Sequence, residues 1–570
     1  MKRIKNIFLY SVGVAILFSC NKQISEKQPD PNDATTITPN LVLGTVLTMI
    51  SGTTSEGNTG VGALGGVNSW DLVHGWNQYH CQNYDYYGTN IYTWSDNSTE
   101  TDNAANTSQG PFNSYLAIKD VIQMETEANK LYGATNAYEA VGRFVKAYYF
   151  YNMTMLMGDV PLKQALQSPA VLTPAYDSQE SVLTYVLHQL DTANSDFATL
   201  IGQGGTSQAD NLSASQDLYY GGDLTKWQKL VNSFELRVLI ELSNKTSDAA
   251  LNVQSRFAAI LGNAAQYPIF TSEADDFQFI YNPGGSNVYS VYPFNPSNFG
   301  SIAARFNSSS TYVSALTTIQ DPRVFVTTEP AWAYVDTAYG GTDTTGGYTA
   351  TDFRAFLGAS VGETEGTMYN QAGANLLSFF NRKRYYSNFT GDPNVLVGYK
   401  EMLFNIAEGI ERGWGGTGNA EQYYENGIKT SMAFYGIDVT QTNFTAYFLP
   451  ASDNAVTQVQ PYPFTFVWNT YYAQGAVQLS STQATAISQI VLQKYLAMYE
   501  TSGYEAYYNW RRTGTPAFQG GPGIGNNGIV PIRWEYPTTE QTQNATNWSA
   551  ALKNQGFTAD DLNQKMWVLQ

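Results

Sequence analysis

Amphipathic segments with helical spacing, several of them ending at a glycine, recur along this chain and constrain its fold class. In residues 137–157 the apolar side chains keep a spacing of three and four, and Gly158 and Pro161 follow. A second such segment starts near Leu224. Apolar residues with this period form one face of a helix, and a glycine with a proline soon after it is a strong helix end. The sequence therefore predicts a mostly α-helical fold.

Helices are also predicted at 41–50, near 399–412 and at about 419–435, and the last two are expected to form an antiparallel hairpin. Residues 265–397 contain many Gly, Asn, Pro and aromatic residues with only short strand-like runs, so this part is expected to be loop-rich. Helix pairs of this size are typical of a tetratricopeptide architecture, although no sequence repeat of about 34 residues is visible.

Residues 1–20 have the pattern of a bacterial lipoprotein export signal. Three basic residues lie within the first five positions, residues 7–18 form an almost uncharged apolar run, and Ser19 and Cys20 close it. A dozen apolar residues are too few to span a bilayer, which needs about 20, so the segment is predicted to be a signal peptide. Cys20 at this place predicts acylation of its thiol and a lipid anchor. An ordinary secreted protein with a cysteine at this position is the alternative.

The segment that follows, residues 21–38, is polar and contains prolines, and is predicted to be a flexible tether. No later segment has 18 uncharged apolar residues, so the membrane is expected to hold the protein only through its lipid. Once Cys20 carries lipid, Cys81 is the one remaining cysteine, so no intramolecular disulfide is expected.

Charge and composition favour a neutral ligand. The formal net charge of −18 argues against nucleic acid, whose phosphates need clustered Lys and Arg, and against an electrostatic grip on anionic lipid. Charged residues make up 14% of the chain, against roughly 25% in typical soluble proteins, and 41 Tyr and 11 Trp are present. Flat amphipathic rings and neutral hydrogen-bonding groups suit hydroxyl-rich ligands such as sugars, although most tyrosines are expected to lie half-buried between helices.

Catalytic and metal-binding motifs are sparse, so neither an enzyme nor a cofactor is predicted. His74 and Cys81 could share a helix face, but no third ligand has metal-site spacing. A surface glycan hydrolase is kept as an alternative, because some pair among 48 acidic residues could form a glycosidase dyad. A structural or adhesive protein is a third hypothesis, which the helix-rich, unrepeated sequence disfavours.

Several segments, in order, resemble the SusD/RagB family of Bacteroidetes nutrient-binding outer-membrane lipoproteins, in particular its SusD-like branch. They are QISEKQPDPNDATTITPNLVLG at 23–44, RFVKAYYFYNMTMLMGDVPL at 143–162, GGDLTKWQKLVNSFELRVLIELSNK at 221–245, DPRVF at 321–325, AEGIERGWGG and YYENGIKTSM within 407–432, QKYLAMYETSGYEAYYNWRRTGTP at 493–516, IRWEYP at 532–537 and TQNATNW at 542–548.

The resemblance implies a single SusD-like domain over 39–570, with four tetratricopeptide-like helix pairs supporting an irregular, loop-rich ligand-binding face that includes 265–397. It also implies capture of a nutrient, with an oligosaccharide or polysaccharide expected and a peptide or glycoprotein fragment as the alternative. The expected partner is a SusC-like TonB-dependent outer-membrane transporter, which this domain would cover like a lid. The expected location is the outer membrane, facing the cell surface.

Charged residues within these segments are predicted to be structural rather than to contact ligand. Asp159 can cap backbone N–H groups in the turn after its helix. Arg511 and Arg512 are expected to bind carboxylates or helix C-terminal carbonyls, with Glu505 as a partner of the arginines.

Aromatic residues in two segments are the predicted ligand contacts. Residues 69–94 concentrate rings, and residues 281–299 place further rings among Gly, Pro, Ser and Asn, with another Trp soon after. The predicted contacts are Trp70, Trp76, Tyr79, Trp94, Tyr289, Tyr292 and Trp332. Trp70, Trp76 and Tyr79 are spaced six and three apart, so a helix that buries its aromatic residues is the alternative there.

Overall fold

The structure is a computed structural model that describes residues 37–51, 72–83, 110–205, 208–282, 291–297, 299–416, 418–501 and 503–570. The predicted signal peptide, Cys20 and nearly all of the predicted tether lie outside these residues. The helices are α1 Pro39–Ser51, α2 Leu72–Trp76, α3 Ser114–Tyr132, α4 Ala137–Met157, α5 Gln179–Gly202, α6 Leu224–Glu241, α7 Val253–Gly262, α8 Phe299–Ile302, α9 Ser310–Thr318, α10 Val324–Thr327, α11 Glu365–Gly373, α12 Arg382–Tyr386, α13 Tyr399–Glu411, α14 Ala420–Phe434, α15 Trp468–Tyr472, α16 Gln483–Ala497, α17 Glu505–Thr513, α18 Thr538–Gln543 and α19 Ala545–Asn554.

The prediction of a mostly helical protein is confirmed, and local signals explain where the helices end. Helix α4 begins after Asn136, whose side chain accepts a hydrogen bond from the Glu139 N–H at 2.9 Å. It ends at Gly158, whose φ of +97° suits a residue without a side chain. Helices α13 and α14 pack against each other as the predicted hairpin.

Apart from isolated bridges, the β structure of the described residues consists of three short antiparallel strand pairs. The strands are β1 His80–Gln82, β2 Phe277–Phe279, β3 Phe306–Ser308, β4 Asn394–Val397, β5 Asn443–Phe448 and β6 Gln460–Thr465. They pair as β1 with β3, β2 with β4 and β5 with β6. In the first pair His80 lies opposite Ser308, and in the third Tyr447 lies opposite Pro461. Short helices and irregular segments fill most of residues 265–397.

Two hydrophobic clusters form the core. The first core cluster is built mainly on α1 and α3–α7, and the second core cluster combines α9, α12, α16, the β5–β6 hairpin and the rings around β1 and β3. Helix α13 serves both, because Met402 and Ile406 belong to the first cluster whereas Phe404 and Ala407 belong to the second. Helix α13 therefore joins the long-helix part of the molecule to the irregular part.

Buried ion pairs surround α13. Arg237 on α6 binds Glu401 on α13, and Arg512 on α17 binds Glu408 on α13 with an Nη2–Oε2 distance of 2.9 Å. Glu408 is fully buried, but the guanidinium of Arg512 outweighs this burial and lowers the pKa of Glu408 to about 2. Glu408 also binds Arg412 at 2.7 Å, so the buried carboxylate has two arginine partners. Removing a partner from a buried charge is destabilising, because the charge cannot turn to water instead.

The structural roles predicted for the arginine pair are confirmed, with a different partner for Glu505. Arg511 donates to the Met155 carbonyl in the last turn of α4, while Arg512 binds the Glu408 carboxylate. Glu505 instead pairs with Lys494 at 3.3 Å and with Arg237 at 3.7 Å.

The role of Asp159 differs from the prediction in its target. Its Oδ1 accepts the Gln179 N–H at 2.8 Å, so it caps the start of the next helix, α5, and not its own turn.

The chain after α17 returns to the long helices. The backbone N–H of Trp534 donates to the Leu156 carbonyl at 2.8 Å, and the backbone N–H of Val568 donates to Gln179 Oε1 at 2.9 Å. The Tyr536 hydroxyl donates to the Asp159 carbonyl at 2.7 Å. Residues 534–568 therefore satisfy polar groups at the end of α4 and the start of α5. Within the part of the chain that the structure describes, no helix combines the length and apolar character needed to cross a membrane.

Candidate functional site

Strands β1 and β3 bring the two predicted aromatic segments together. The first segment continues from β1 into Asn83, whose side-chain amide donates to the Ala304 carbonyl at 3.0 Å and to Asn307 Oδ1 at 2.6 Å. Asn307 lies in β3, shortly after the second segment. Residues far apart in the chain, near 83 and near 300, are therefore neighbours.

A chain of ring contacts connects the same two segments. His80 lies edge-on to Phe306 with 5.2 Å between ring centroids, and Phe306 contacts Phe294 at 5.4 Å. Phe294 contacts Tyr292 at 6.1 Å, and Tyr292 contacts Tyr281 at 5.3 Å. These five buried rings connect the two predicted segments, and we call them the ring floor.

Two of the predicted contacts in the first segment are core residues, which corrects the prediction. Trp76 is 1% exposed and packs edge-on against Trp534 with centroids 4.6 Å apart. Tyr79 is fully buried, stacks on Tyr495 at 4.6 Å and donates its hydroxyl to the Tyr495 carbonyl at 2.8 Å. Neither ring offers a face to a ligand, and the alternative of buried aromatics applies to them.

The two described rings of the second group are buried as well. Tyr292 and Trp332 are each 2% exposed, and Trp332 packs between Phe448 and Tyr462. These two predicted contacts are therefore also corrected, since a large ring in an irregular segment can be core when another part of the chain covers it. Trp70, Trp94 and Tyr289, the other predicted contacts, lie outside the described residues.

A buried histidine–glutamate pair lies beside the ring floor. His80 Nδ1 and Glu500 Oε1 are 2.8 Å apart, and both side chains are nearly inaccessible to solvent. Burial raises the pKa of Glu500, and the neighbouring His80 opposes that shift. The backbone of Glu500 has a φ of +56°, a conformation that is uncommon for a residue with a side chain. A buried acid in an unfavourable backbone conformation marks this place as a candidate site.

His74 and Cys81 do not extend the pair into a metal centre. His74 is fully buried, and burial lowers its pKa well below the usual value. Cys81 Sγ lies 3.5 Å from the Ala359 carbonyl. No group of three or more His, Cys, Asp or Glu side chains among the described residues is placed to hold a metal ion.

Exposed rings occur on a surface that the sequence analysis did not identify. In the β5–β6 hairpin, Ala446, Phe448 and Tyr462 face the core, whereas the opposite face carries Thr445, Tyr447, Pro461 and Pro463. Tyr447 is 45% exposed, and neither strand contains a charged residue. We call this outward face the neutral hairpin face. The alternation of outward and inward side chains in 443–448 was a usable signal for it.

A groove of about 700 Å³ lies on the long-helix part of the molecule. Its walls include Ile118 on α3, Phe150 on α4 and Tyr185 on α5, with Lys146 and His188 among the polar groups. This volume is within the range of small-molecule sites. It is separate from the ring floor, whose residues are not among its walls.

Comparison with known proteins identifies the family. The family model described as "Starch-binding associating with outer membrane" matches residues 67–537, and the chain belongs to this SusD-like family. Its members are outer-membrane-associated binding proteins of the starch and nutrient type. The comparison with curated proteins gave no match.

Solved structures agree with that assignment. A SusD homologue from Bacteroides fragilis is 26% identical, with a TM-score of 0.72, and the match covers 94% of this chain and 100% of that one. A second B. fragilis SusD homologue is also 26% identical, at a TM-score of 0.69 and the same coverage. A chitin-binding SusD homologue from Flavobacterium johnsoniae shares the fold at 20% identity and a TM-score of 0.64, covering 93% of this chain and 99% of that one. The SusD-like fold predicted from the sequence is thereby confirmed.

Proposed function

We propose that this protein captures a neutral oligosaccharide or polysaccharide at the outer membrane and passes it to a SusC-like TonB-dependent transporter. The observation that carries the proposal is the match of residues 67–537 to a starch-binding family. The low content of charged residues supports a ligand without charge. A chitin-binding protein among the structural relatives is consistent with a sugar ligand.

We place the proposed contacts on the neutral hairpin face and in the two aromatic segments that the buried ring floor connects. Trp70, Trp94 and Tyr289 stay the predicted contacts of the two aromatic segments, and Tyr447 adds an exposed ring on a regular strand. A ring that stacks on a sugar contributes with little loss of side-chain entropy. Trp94→Ala should weaken glycan binding by roughly 1–3 kcal/mol without loss of fold.

A combined glycan and peptide array tests the ligand class, with the chain lacking residues 1–20 as the probe. Binding to neutral glycans supports the proposal, whereas binding to peptides alone would replace it with the peptide alternative. Incubating the bound glycan with the protein tests the hydrolase alternative. We expect the glycan to be recovered unchanged, and shorter products would contradict a pure binding role.

The transporter partner follows from the physical limits of a peripheral protein. A domain held at the surface by lipid cannot itself move its ligand across a membrane, so capture is useful only beside a transporter. Residues 39–570 would act as one binding domain on the tether 21–38 and cover the transporter opening. Purification from cells in mild detergent should recover the transporter in a one-to-one ratio. Repeated recovery of this protein alone would contradict the partnership.

The lipid anchor is tested separately from the ligand. Cys20→Ala should release or mislocalise the protein, because the described helices include no membrane span. Protease treatment of intact cells tests which side of the membrane the domain faces. Digestion supports surface exposure, and complete protection would place the protein on the periplasmic side and contradict the lid arrangement.

A further inference from the structure

A small cavity lies beside Glu500, next to the ring floor. Its volume is about 10 Å³, which is room for one water-sized group. It is lined by Tyr281, Tyr292, Tyr385, Asp392, Pro393, Asn394 and Glu500. Tyr385, Asn394 and Glu500 are at most 6% exposed, whereas Asp392 and Pro393 are partly exposed. The cavity is therefore bordered on one side by residues that reach the surface.

Polar atoms of the cavity wall have no hydrogen-bond partner among the described residues. They are the Tyr385 hydroxyl, Oδ1 and Nδ2 of Asn394, and Oε2 of Glu500. A buried polar atom left without a partner costs about 1–3 kcal/mol. Four such atoms on three residues that line one small space favour a hydrogen-bonding ligand there.

The surrounding structure holds these groups in place without satisfying them. His80 binds Oε1 of Glu500 and so fixes the carboxylate while Oε2 stays without a partner. Gly391 packs so closely on Tyr292 that a Cβ there would lie 2.1 Å from the ring. Asn394 lies in β4, opposite Phe279 in β2. These contacts restrict the cavity wall, which favours a preformed site.

The four atoms without a hydrogen-bond partner determine which chemical group fits the cavity. Glu500 Oε2 and Asn394 Oδ1 accept hydrogen bonds, whereas Asn394 Nδ2 donates and the Tyr385 hydroxyl can do both. A hydroxyl group donates one hydrogen bond and accepts two, so it can pair with three of these four atoms, Asn394 Nδ2 included. An ammonium group only donates and would leave Asn394 Nδ2 unpaired, and a carboxylate only accepts and would leave Asn394 Oδ1 unpaired. The described residues also place no metal-binding group of three or more ligands here.

We propose that this cavity is a subsite for a single hydroxyl group of a neutral sugar, which enters past Asp392 and Pro393 and replaces a bound water. This inference rests on the proposed function, since it names one polar anchor within the same ligand surface. The rings of the two aromatic segments would supply contact area, while the cavity would distinguish sugars by the position of one hydroxyl.

Tyr385→Phe tests the subsite, with Tyr149→Phe as the matched control. Both variants remove a buried hydroxyl without a partner, but Tyr149 belongs to the first core cluster, away from the cavity. Calorimetric titration of the chain lacking residues 1–20 with maltoheptaose and chitohexaose measures affinity, and thermal melting measures stability. We expect both variants to keep or raise the melting temperature. Whichever of the two oligosaccharides the wild type binds, only Tyr385→Phe should weaken its affinity, by about 3- to 10-fold.

A second measurement uses analogues of that oligosaccharide lacking one hydroxyl at a time. One of these analogues should bind the wild type more weakly than the complete oligosaccharide does. Its affinity for Tyr385→Phe should equal its affinity for the wild type, because the hydroxyl that Tyr385 contacts is already absent. Equal affinity of the wild type and both variants would overturn the subsite while leaving glycan capture intact. Absence of binding to these oligosaccharides and to every glycan of the array would overturn the proposed function, and the subsite with it.

Discussion

Trp76→Ala should lower stability and leave any binding surface unchanged. Trp76 is 1% exposed, packs edge-on against Trp534 at 4.6 Å and stacks with Tyr504 at 5.8 Å. Truncating such a ring costs about 3–5 kcal/mol, because both the buried area and the contacts of the resulting cavity are lost. For a chain of 570 residues, an unfolding entropy of about 2.1 cal/mol/K per residue converts this into a fall in Tm of about 2–4 °C.

The assay measures thermal melting and glycan affinity on the same preparations, with Tyr447→Ala as the control. Tyr447 is 45% exposed on the neutral hairpin face, so its truncation should leave Tm nearly unchanged. If Trp76→Ala kept its Tm and lost affinity, the assignment of this ring to the core would be wrong. If the two variants lost equal stability, burial would not be the cause.

Three further predictions concern charge, pH and close packing. Arg512→Ala should destabilise the fold by about 1.5–3 kcal/mol in chemical denaturation because the buried Glu408 loses charge-assisted hydrogen bonds and keeps only Arg412 as its ion-pair partner, whereas removing the exposed Arg354 should change little. Burial raises the pKa of Glu235 from 4.5 to about 8, so the folded protein holds an extra proton between these values and loses stability as pH rises through 8. Glu235→Gln should reduce that loss when Tm is compared at about pH 5 and about pH 9, and an unchanged slope would contradict the shift. Gly409→Ala should cost about 1–3 kcal/mol because its Cβ would meet a packed phenylalanine ring 2.1 Å away, whereas Gly262→Ala meets nothing within 4 Å and should not destabilise α7.

Local sequence signals were enough to place the helices but not to sort buried rings from exposed ones. Helix α4 could be predicted to the residue, because its apolar period and Gly158 are properties of adjacent positions. The burial of Trp76 depends on Tyr504 and Trp534, which come far later in the chain and leave no local signal. The same applies to Trp332, which the β5–β6 hairpin covers.

The candidate site could be predicted in part. Both aromatic segments were identified from composition, and the ring floor shows that they meet. Glu500 carries no signal in the sequence, because its role depends on a distant histidine and on a left-handed backbone. Tyr447 was missed because the alternation around it covers only six residues, which is a weak signal until the pairing with β6 is known.

The return of residues 534–568 to helices α4 and α5 has a kinetic consequence. Until Trp534 and Val568 are available, the carbonyl of Leu156 and the side chain of Gln179 lack the partners that the folded protein gives them. Contacts between such distant positions raise the contact order and slow the search for the native state. We therefore expect the chain to stay incompletely folded until residues 534–568 are present, and a truncation before this segment to produce a substrate for proteases.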